Sequence, residues 1–216
     1  MKHRAVLFDL DGTLLNTLQD IADSVNKGLG YLGFPQHETE AYKMLVGEGR
    51  EVLTKLALPK NHQDDFTVQK LLEYINEEYE THWADNTRPY PGIPELLDAL
   101  TANNIKMAVL SNKADDLTKM NVSRMLSRWR FALIVGAKPS VPNKPDPTVA
   151  LQIAKQLDIS PAEFLYLGDS GIDMETANQA GMYPVGALWG FRSADELLAG
   201  GAKALIKHPG ELLNLL

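Results

Sequence analysis

The chain predicts a doubly wound α/β fold that carries an all-helical insertion, and three observations lead there. Short apolar runs alternate with longer stretches of helical periodicity over most of the 216 residues. Glycine or proline punctuates most junctions between the two patterns. The rhythm stops between about positions 17 and 83, where only helical patterns occur.

The runs at 5–8, 106–110, 133–135, 164–167, 184–187 and 204–206 are too short for helices and too apolar for loops, and they read as buried parallel strands. Helical periodicity lies between them at 93–103, 115–127, 147–157, 173–180 and 194–199. Strand and helix in alternation place a parallel sheet between two helical layers. The interruption reads as four helices at 18–29, 39–45, 50–58 and 65–83, inserted after the first strand. The return segment Arg88-Pro89-Tyr90-Pro91-Gly92-Ile93-Pro94 is stiffened by three prolines. The expected division is therefore a sheet domain of residues 1–16 and 84–216 and a helical domain of residues 17–83. Two linkers, at 14–17 and 86–91, form the expected hinge.

Composition removes whole classes of chemistry. There is no cysteine, so disulfide frameworks, thiolate metal sites and thiol nucleophiles are excluded, and a cytoplasmic setting is expected. With 21 Lys plus Arg against 28 Asp plus Glu, the net charge of −7 gives no broad basic footprint for nucleic acid or an anionic membrane. Any anionic substrate needs local positive charge. The basic start Lys2-His3-Arg4 is followed by an apolar stretch that Asp9 and Asp11 interrupt, too short for a secretory signal. No apolar run reaches the ~18 residues a membrane span needs. Gly28-Leu29-Gly30-Tyr31-Leu32-Gly33 matches a dinucleotide fingerprint but ends a helical pattern, so it reads as helix termination. There is no P-loop motif, no serine elbow, and no metal-ligand spacing among the five histidines.

Four strand-end motifs remain. Phe8-Asp9-Leu10-Asp11-Gly12-Thr13 follows the first strand, and carboxylates two residues apart there can point the same way. Ligands of open α/β sheets bind at that edge. Taken alone it is also an Asp-rich turn capping a helix. Leu167-Gly168-Asp169-Ser170-Gly171-Ile172-Asp173 ends another strand and opens a helix, with Asp169 and Asp173 four apart across its first turn. That pattern is equally a helix cap, yet beside the first motif it makes a hard-cation site suited to Mg²⁺. Ser111-Asn112-Lys113 ends a third strand and by itself reads as a turn or cap. In Asn143-Lys144-Pro145-Asp146-Pro147 a single lysine is by default a solvated charge.

In order along the chain, Asp9 to Thr13, Ser111, Lys144 and Asp169 to Asp173 match the motifs of the haloacid dehalogenase-like superfamily of phosphotransferases. The match spans the whole chain, and the helical insertion resembles that superfamily's four-helix C1-type cap on a Rossmann-like core. Val46-Gly47-Glu48-Gly49, Ser111-Asn112-Lys113 and Trp189-Gly190-Phe191-Arg192-Ser193 resemble the phosphoglycolate phosphatase-like branch.

The resemblance implies a phosphatase of small phosphorylated metabolites, phosphoglycolate being one candidate, acting as monomer or homodimer. It assigns Asp9 as the nucleophile that forms an aspartyl phosphate, which suits an ionised carboxylate. It assigns Asp11 as general acid and then general base. It implies Mg²⁺ held by Asp9, the Asp11 main-chain carbonyl and Asp169, with Asp173 ordering metal waters or Lys144. Ser111 would bind phosphoryl oxygens and Lys144 would neutralise transferring charge. Carboxylate and phosphate 4 Å apart repel by about 4 kcal/mol in an effective dielectric of 20, so positive charge there is required. Thr13, Asn112, Lys113 and the cap loop Gly47, Glu48, Gly49 and Arg50 would contact substrate, although Arg50 equally reads as a solvent-facing helix residue. The superfamily's dehalogenases lack an acid at the position of Asp11, so its presence favours phosphoryl chemistry. Asn16-Thr17 departs from the commoner acidic-Ser pair, which touches the hinge alone. Alternatives on similar motifs are a sugar-phosphate mutase, an inorganic pyrophosphatase and a phospho-accepting signalling domain.

Overall fold

The structure, a computed structural model, describes residues 2–216. In chain order its elements are β1 (Ala5–Phe8), β2 (Leu15–Asn16), α1 (Leu18–Tyr31), α2 (Arg50–Ala57), α3 (Asp65–His82), β3 (Arg88–Pro89), α4 (Ile93–Ala102) and β4 (Lys106–Ala114). They continue with α5 (Asp115–Met125), β5 (Leu133–Ala137), α6 (Thr148–Leu157), β6 (Phe164–Gly168), α7 (Gly171–Gln179), β7 (Tyr183–Ala187), α8 (Ala194–Ala199) and β8 (Ala204–Ile206). Short 3₁₀ segments lie at Thr39–Met44, Lys60–His62, Pro161–Glu163 and Pro209–Leu215. The first of these takes the place of the helix expected at 39–45. No helix among the described residues is long and apolar enough to cross a membrane.

The chain divides into two compact units, the segment up to Leu15 together with Pro89–Leu216, and Asn16–Arg88. The first is a six-stranded sheet in the order β5-β4-β1-β6-β7-β8, every pairing parallel. Period-two alternation explains why β1 is apolar throughout. Val6 and Phe8 enter one core cluster while Ala5 and Leu7 enter the other. Its neighbours do the same: Met107 and Val109 oppose Ala108 and Leu110 in β4, and Leu165 and Leu167 oppose Phe164 and Tyr166 in β6. Helix α4 covers the first cluster with Ile93, Leu96, Leu97 and Leu100, and α6 covers the second with Val149, Ala150, Ile153 and Ala154. The sheet is thus wound on both faces. Strand order runs from β1 outward through β4 and β5, then restarts on the other side with β6. That reversal puts the carboxyl ends of β1, β4 and β6 around the crevice where such sheets bind ligands.

The second unit is helical. Leu18, Ile21, Ala22, Val25 and Leu29 of α1 recur at helical spacing and are buried, as are Val68, Leu71, Ile75 and Tyr79 of α3. Gly28 permits the close approach of these helices, since a β-carbon there would sit 2.8 Å from Leu71 Cδ1. Residues 84–88, expected outside the insertion, lie within this unit, and Asp20 of α1 binds two of them, Asn86 and Thr87. Its buried carboxylate accepts from the Asn86 amide at 2.9 Å, the Asn86 side chain at 2.9 Å, the Thr87 amide at 2.8 Å and the Thr87 hydroxyl at 2.7 Å. Asp20→Ala orphans these donors and is expected to destabilise the protein by about 2–4 kcal/mol in urea unfolding. An unchanged midpoint would show that water replaces the carboxylate without loss.

Candidate active site

The functional side chains come from strand ends, from the loop after β5 and from the first turn of α7. Asp9 follows β1, and its amide continues the ladder by donating to Leu167 O at 2.9 Å. The chain then turns at Gly12, whose φ of +87° favours glycine. A β-carbon at Gly12 would lie 2.3 Å from Asp169 Oδ2, so the turn needs glycine for space as well. Lys144 Nζ donates to Asp9 Oδ1 at 2.8 Å and to Asp173 Oδ1 at 2.7 Å. The Asp173 carboxylate also accepts from the Ser170 hydroxyl at 2.6 Å and its amide at 3.1 Å, closing a capping box on α7. Asp169 takes Thr13 Oγ1 on Oδ1 at 3.0 Å and the Phe191 amide on Oδ2 at 2.7 Å.

Asp9, Asp169 and Asp173 are all buried and offer carboxylate oxygens that lie within 4.8 Å of one another. Burial, first, and the charge of Asp173, second, push Asp9 well above the usual carboxylate range, against the pull of Lys144. The same two causes push Asp169 up to about 7. Burial works against the Lys144 ammonium, but Asp173 and Asp9 outweigh it and hold the lysine protonated. Three carboxylates and one ammonium leave this buried cluster with two uncompensated negative charges when all are ionised.

The structure brings Asp9, Lys144, Asp169 and Asp173 together. Asp11 stands beside them with its carboxylate on the Lys113 ammonium, at 2.9 and 3.3 Å. Ser111 is buried, and its hydroxyl accepts from the Lys113 amide at 3.2 Å. Asn112 clamps Lys144 by its backbone, accepting from the Lys144 amide at 2.9 Å and donating to its carbonyl at 3.1 Å. Thr13, expected at the substrate, is fully buried and spends its hydroxyl on Asp169. Gly47, Glu48, Gly49 and Arg50 belong to the helical unit, where Gly47 and Gly49 adopt φ of +133° and +99° and Arg50 begins α2 with a hydrogen bond to the Asn76 side chain. Sequence reasoning missed the Phe191 amide and the Trp189 indole, which donates to Thr13 O at 3.0 Å. The signal was the motif Trp189-Gly190-Phe191, quoted for its likeness without a contact assigned to it.

Fold and site together define a doubly wound α/β protein that gathers three buried carboxylates and one buried lysine beside the carboxyl ends of its parallel strands. Residues 6–187 match the family model of the haloacid dehalogenase-like hydrolases. The chain is 33% identical to phosphoglycolate phosphatase of Aquifex aeolicus over 99% of its length and 96% of that protein's. It is 30% identical to N-acetylmuramic acid 6-phosphate phosphatase of Pseudomonas aeruginosa over 100% and 96%. Among solved structures, CbbY of Rhodobacter sphaeroides in complex with phosphate superposes with a TM-score of 0.81 at 22% identity over 97% and 96% of the two chains, a likeness of fold. The chain belongs to the haloacid dehalogenase-like hydrolases, in their phosphoglycolate phosphatase-like branch, and is a phosphoric monoester hydrolase by class.

Proposed function

We propose that this phosphatase hydrolyses small phosphate monoesters, phosphoglycolate among them, in a Mg²⁺-dependent reaction through an aspartyl phosphate on Asp9. The supporting observation is the position of Asp9, at the end of the central strand, 2.8 Å from Lys144 and grouped with two further buried carboxylates.

The donor set fits the ion. Asp9, Asp169 and Asp173 offer hard oxygen atoms only, and their excess of two negative charges over Lys144 is what a divalent cation balances. Bound there, Mg²⁺ would withdraw charge from the phosphoryl oxygens and offset repulsion between carboxylate and phosphate. Asp9 and Asp169 would hold it, with Asp173 supporting from behind through Lys144. An Asp9 oxygen attacks phosphorus, the ester P–O bond breaks, and Asp11 gives its proton to the departing alkoxide. A water then yields its proton to the Asp11 carboxylate and attacks the same phosphorus, which frees inorganic phosphate and restores Asp9. The Lys113 ammonium, 2.9 Å from the Asp11 carboxylate, would orient it for both transfers. Lys144 stays charged throughout and meets the negative charge that grows on the transferring group.

A phosphate-release screen over small phosphorylated metabolites, with Mg²⁺ and with EDTA, tests the reading. Mg²⁺-dependent release is expected, and isomerised sugar phosphate without free phosphate would overturn it. The site also sets a pH dependence. A carboxyl raised to about 7 in the folded chain, against about 4 unfolded, holds its proton longer when folded, so its contribution to stability falls as pH rises through that window. Without metal, the melting temperature of the wild type relative to Asp169→Asn is therefore expected to fall between pH 5 and 7, and Mg²⁺ to reverse that trend. A relative melting temperature that rises across the window in EDTA would sink the assignment.

A further inference from the structure

The segment between β7 and α8 supplies no side chain to the reaction just described, yet it touches the site at three points. The Phe191 amide donates to Asp169 Oδ2 at 2.7 Å. Gly190 packs against the same residue so closely that a β-carbon would lie 2.3 Å from Asp169 Cβ, 2.4 Å from its Oδ2 and 2.5 Å from Gly12 O. The Trp189 indole donates to Thr13 O at 3.0 Å, and Thr13 Oγ1 in turn donates to Asp169 Oδ1 at 3.0 Å. These bonds close a ring that runs from Asp169 to Thr13, to Trp189, along the chain to Phe191 and back to Asp169.

The ring has a chemical consequence. Each Asp169 oxygen already accepts one fixed donor, and backbone walls it in at Gly12 and Gly190. A donor on each oxygen restrains rotation of the carboxylate and so sets where its remaining lone pairs point. We propose that Trp189, Gly190 and Phe191 are positioning residues for the divalent-cation site, with the indole acting on Asp169 through Thr13. This rests on Asp169 being a cation ligand, the reading proposed above.

Removing a partner that orients a metal ligand typically weakens metal binding about 10- to 100-fold. Trp189→Phe deletes the indole donor and keeps most of the ring volume. Calorimetric titration of the full chain with Mg²⁺ is expected to show about 10-fold weaker binding in this variant, with kcat restored at saturating Mg²⁺. Because the effect passes through the Thr13 hydroxyl, Trp189→Phe is expected to add less than about 2-fold in a Thr13→Val background. Trp189→His, which retains a ring N–H, is expected to recover part of the affinity.

Unchanged Mg²⁺ affinity in Trp189→Phe, or fully additive effects with Thr13→Val, overturns the proposal even where the wild type binds Mg²⁺ normally. Failure of the wild type to bind Mg²⁺ overturns the cation reading and this inference with it. A measurement on the wild type depends on no variant's folding: amide hydrogen exchange at Phe191 is expected to slow at least about 5-fold on Mg²⁺ saturation, as the carboxylate it holds becomes fixed. Identical exchange with and without Mg²⁺ would count against the ring.

Discussion

Asp9→Asn is expected to lower phosphate release by about 10⁴-fold or more, the scale on which loss of a nucleophile acts. The amide matches the carboxylate in volume, so circular dichroism and the melting temperature report whether the fold is intact. Oδ1 of the amide can still accept from Lys144, which lies 2.8 Å from that atom in the wild type. What is lost is the anion able to bond to phosphorus. Substrate affinity is expected to survive at saturating Mg²⁺, because the Lys144 ammonium and the Ser111 hydroxyl, which the family resemblance implies for the phosphoryl oxygens, are untouched. Mass spectrometry of a quenched reaction would show no phosphorylated chain. A variant that keeps most of its turnover would remove Asp9 from the mechanism altogether.

Lys144→Met acts on stability and turnover at once. The ammonium bridges Asp9 and Asp173, and the lysine is 7% exposed. Removing one member of a buried ionic group typically destabilises by about 3–5 kcal/mol, because the partners stay buried without compensation. Urea unfolding in EDTA is expected to show a loss of that order. Part of it should return on adding Mg²⁺, since a cation supplies charge to the same carboxylates. Turnover is expected to fall by about 10²- to 10³-fold, the usual effect of deleting a group that meets developing charge. A variant as stable as the wild type in EDTA would mean that the Lys144 bridge contributes nothing to stability, and the electrostatic account would fail.

The strands were legible because burial on both faces forces an unbroken apolar run, as in Ala5 to Phe8, which no amphipathic helix or loop would carry. Asp9 and Asp169 stood out because each follows such a run directly. The ribbon strands β2 and β3, two residues each, carry no pattern of their own and exist through tertiary pairing alone. The same holds for polar partners. Nothing local to Asn112 marks it as a clamp on the Lys144 backbone, and nothing local to Asp20 points to Asn86 and Thr87. Thr13 and Lys113 likewise show hydroxyl and charge in sequence but not the carboxylate each one finds. Periodicity reports burial, whereas the choice of hydrogen-bond partner is made by residues distant along the chain.

The registers of β1 carry a further consequence, for the order of events during synthesis. Ala5 pairs with Lys106 on one side and with Phe164 on the other. Strand β1 is therefore enclosed only by segments far downstream, β4 on one side and β6 on the other. At about 5–20 residues per second it waits several seconds for β4 and longer for β6. Loop closure over such separations costs only slowly more free energy with length, but it delays folding, because non-local strands must meet before any of them gains stability. The strand that bears Asp9 is four apolar residues with both edges unpaired during that interval, a species prone to association with other nascent chains. A truncated chain that stops before Phe164 leaves β1 without its second neighbour and lacks Asp169 and Asp173 as well. The second neighbour of β1 and the last carboxylates of the cluster are thus supplied by the same stretch of chain, before β7 and β8 complete the sheet.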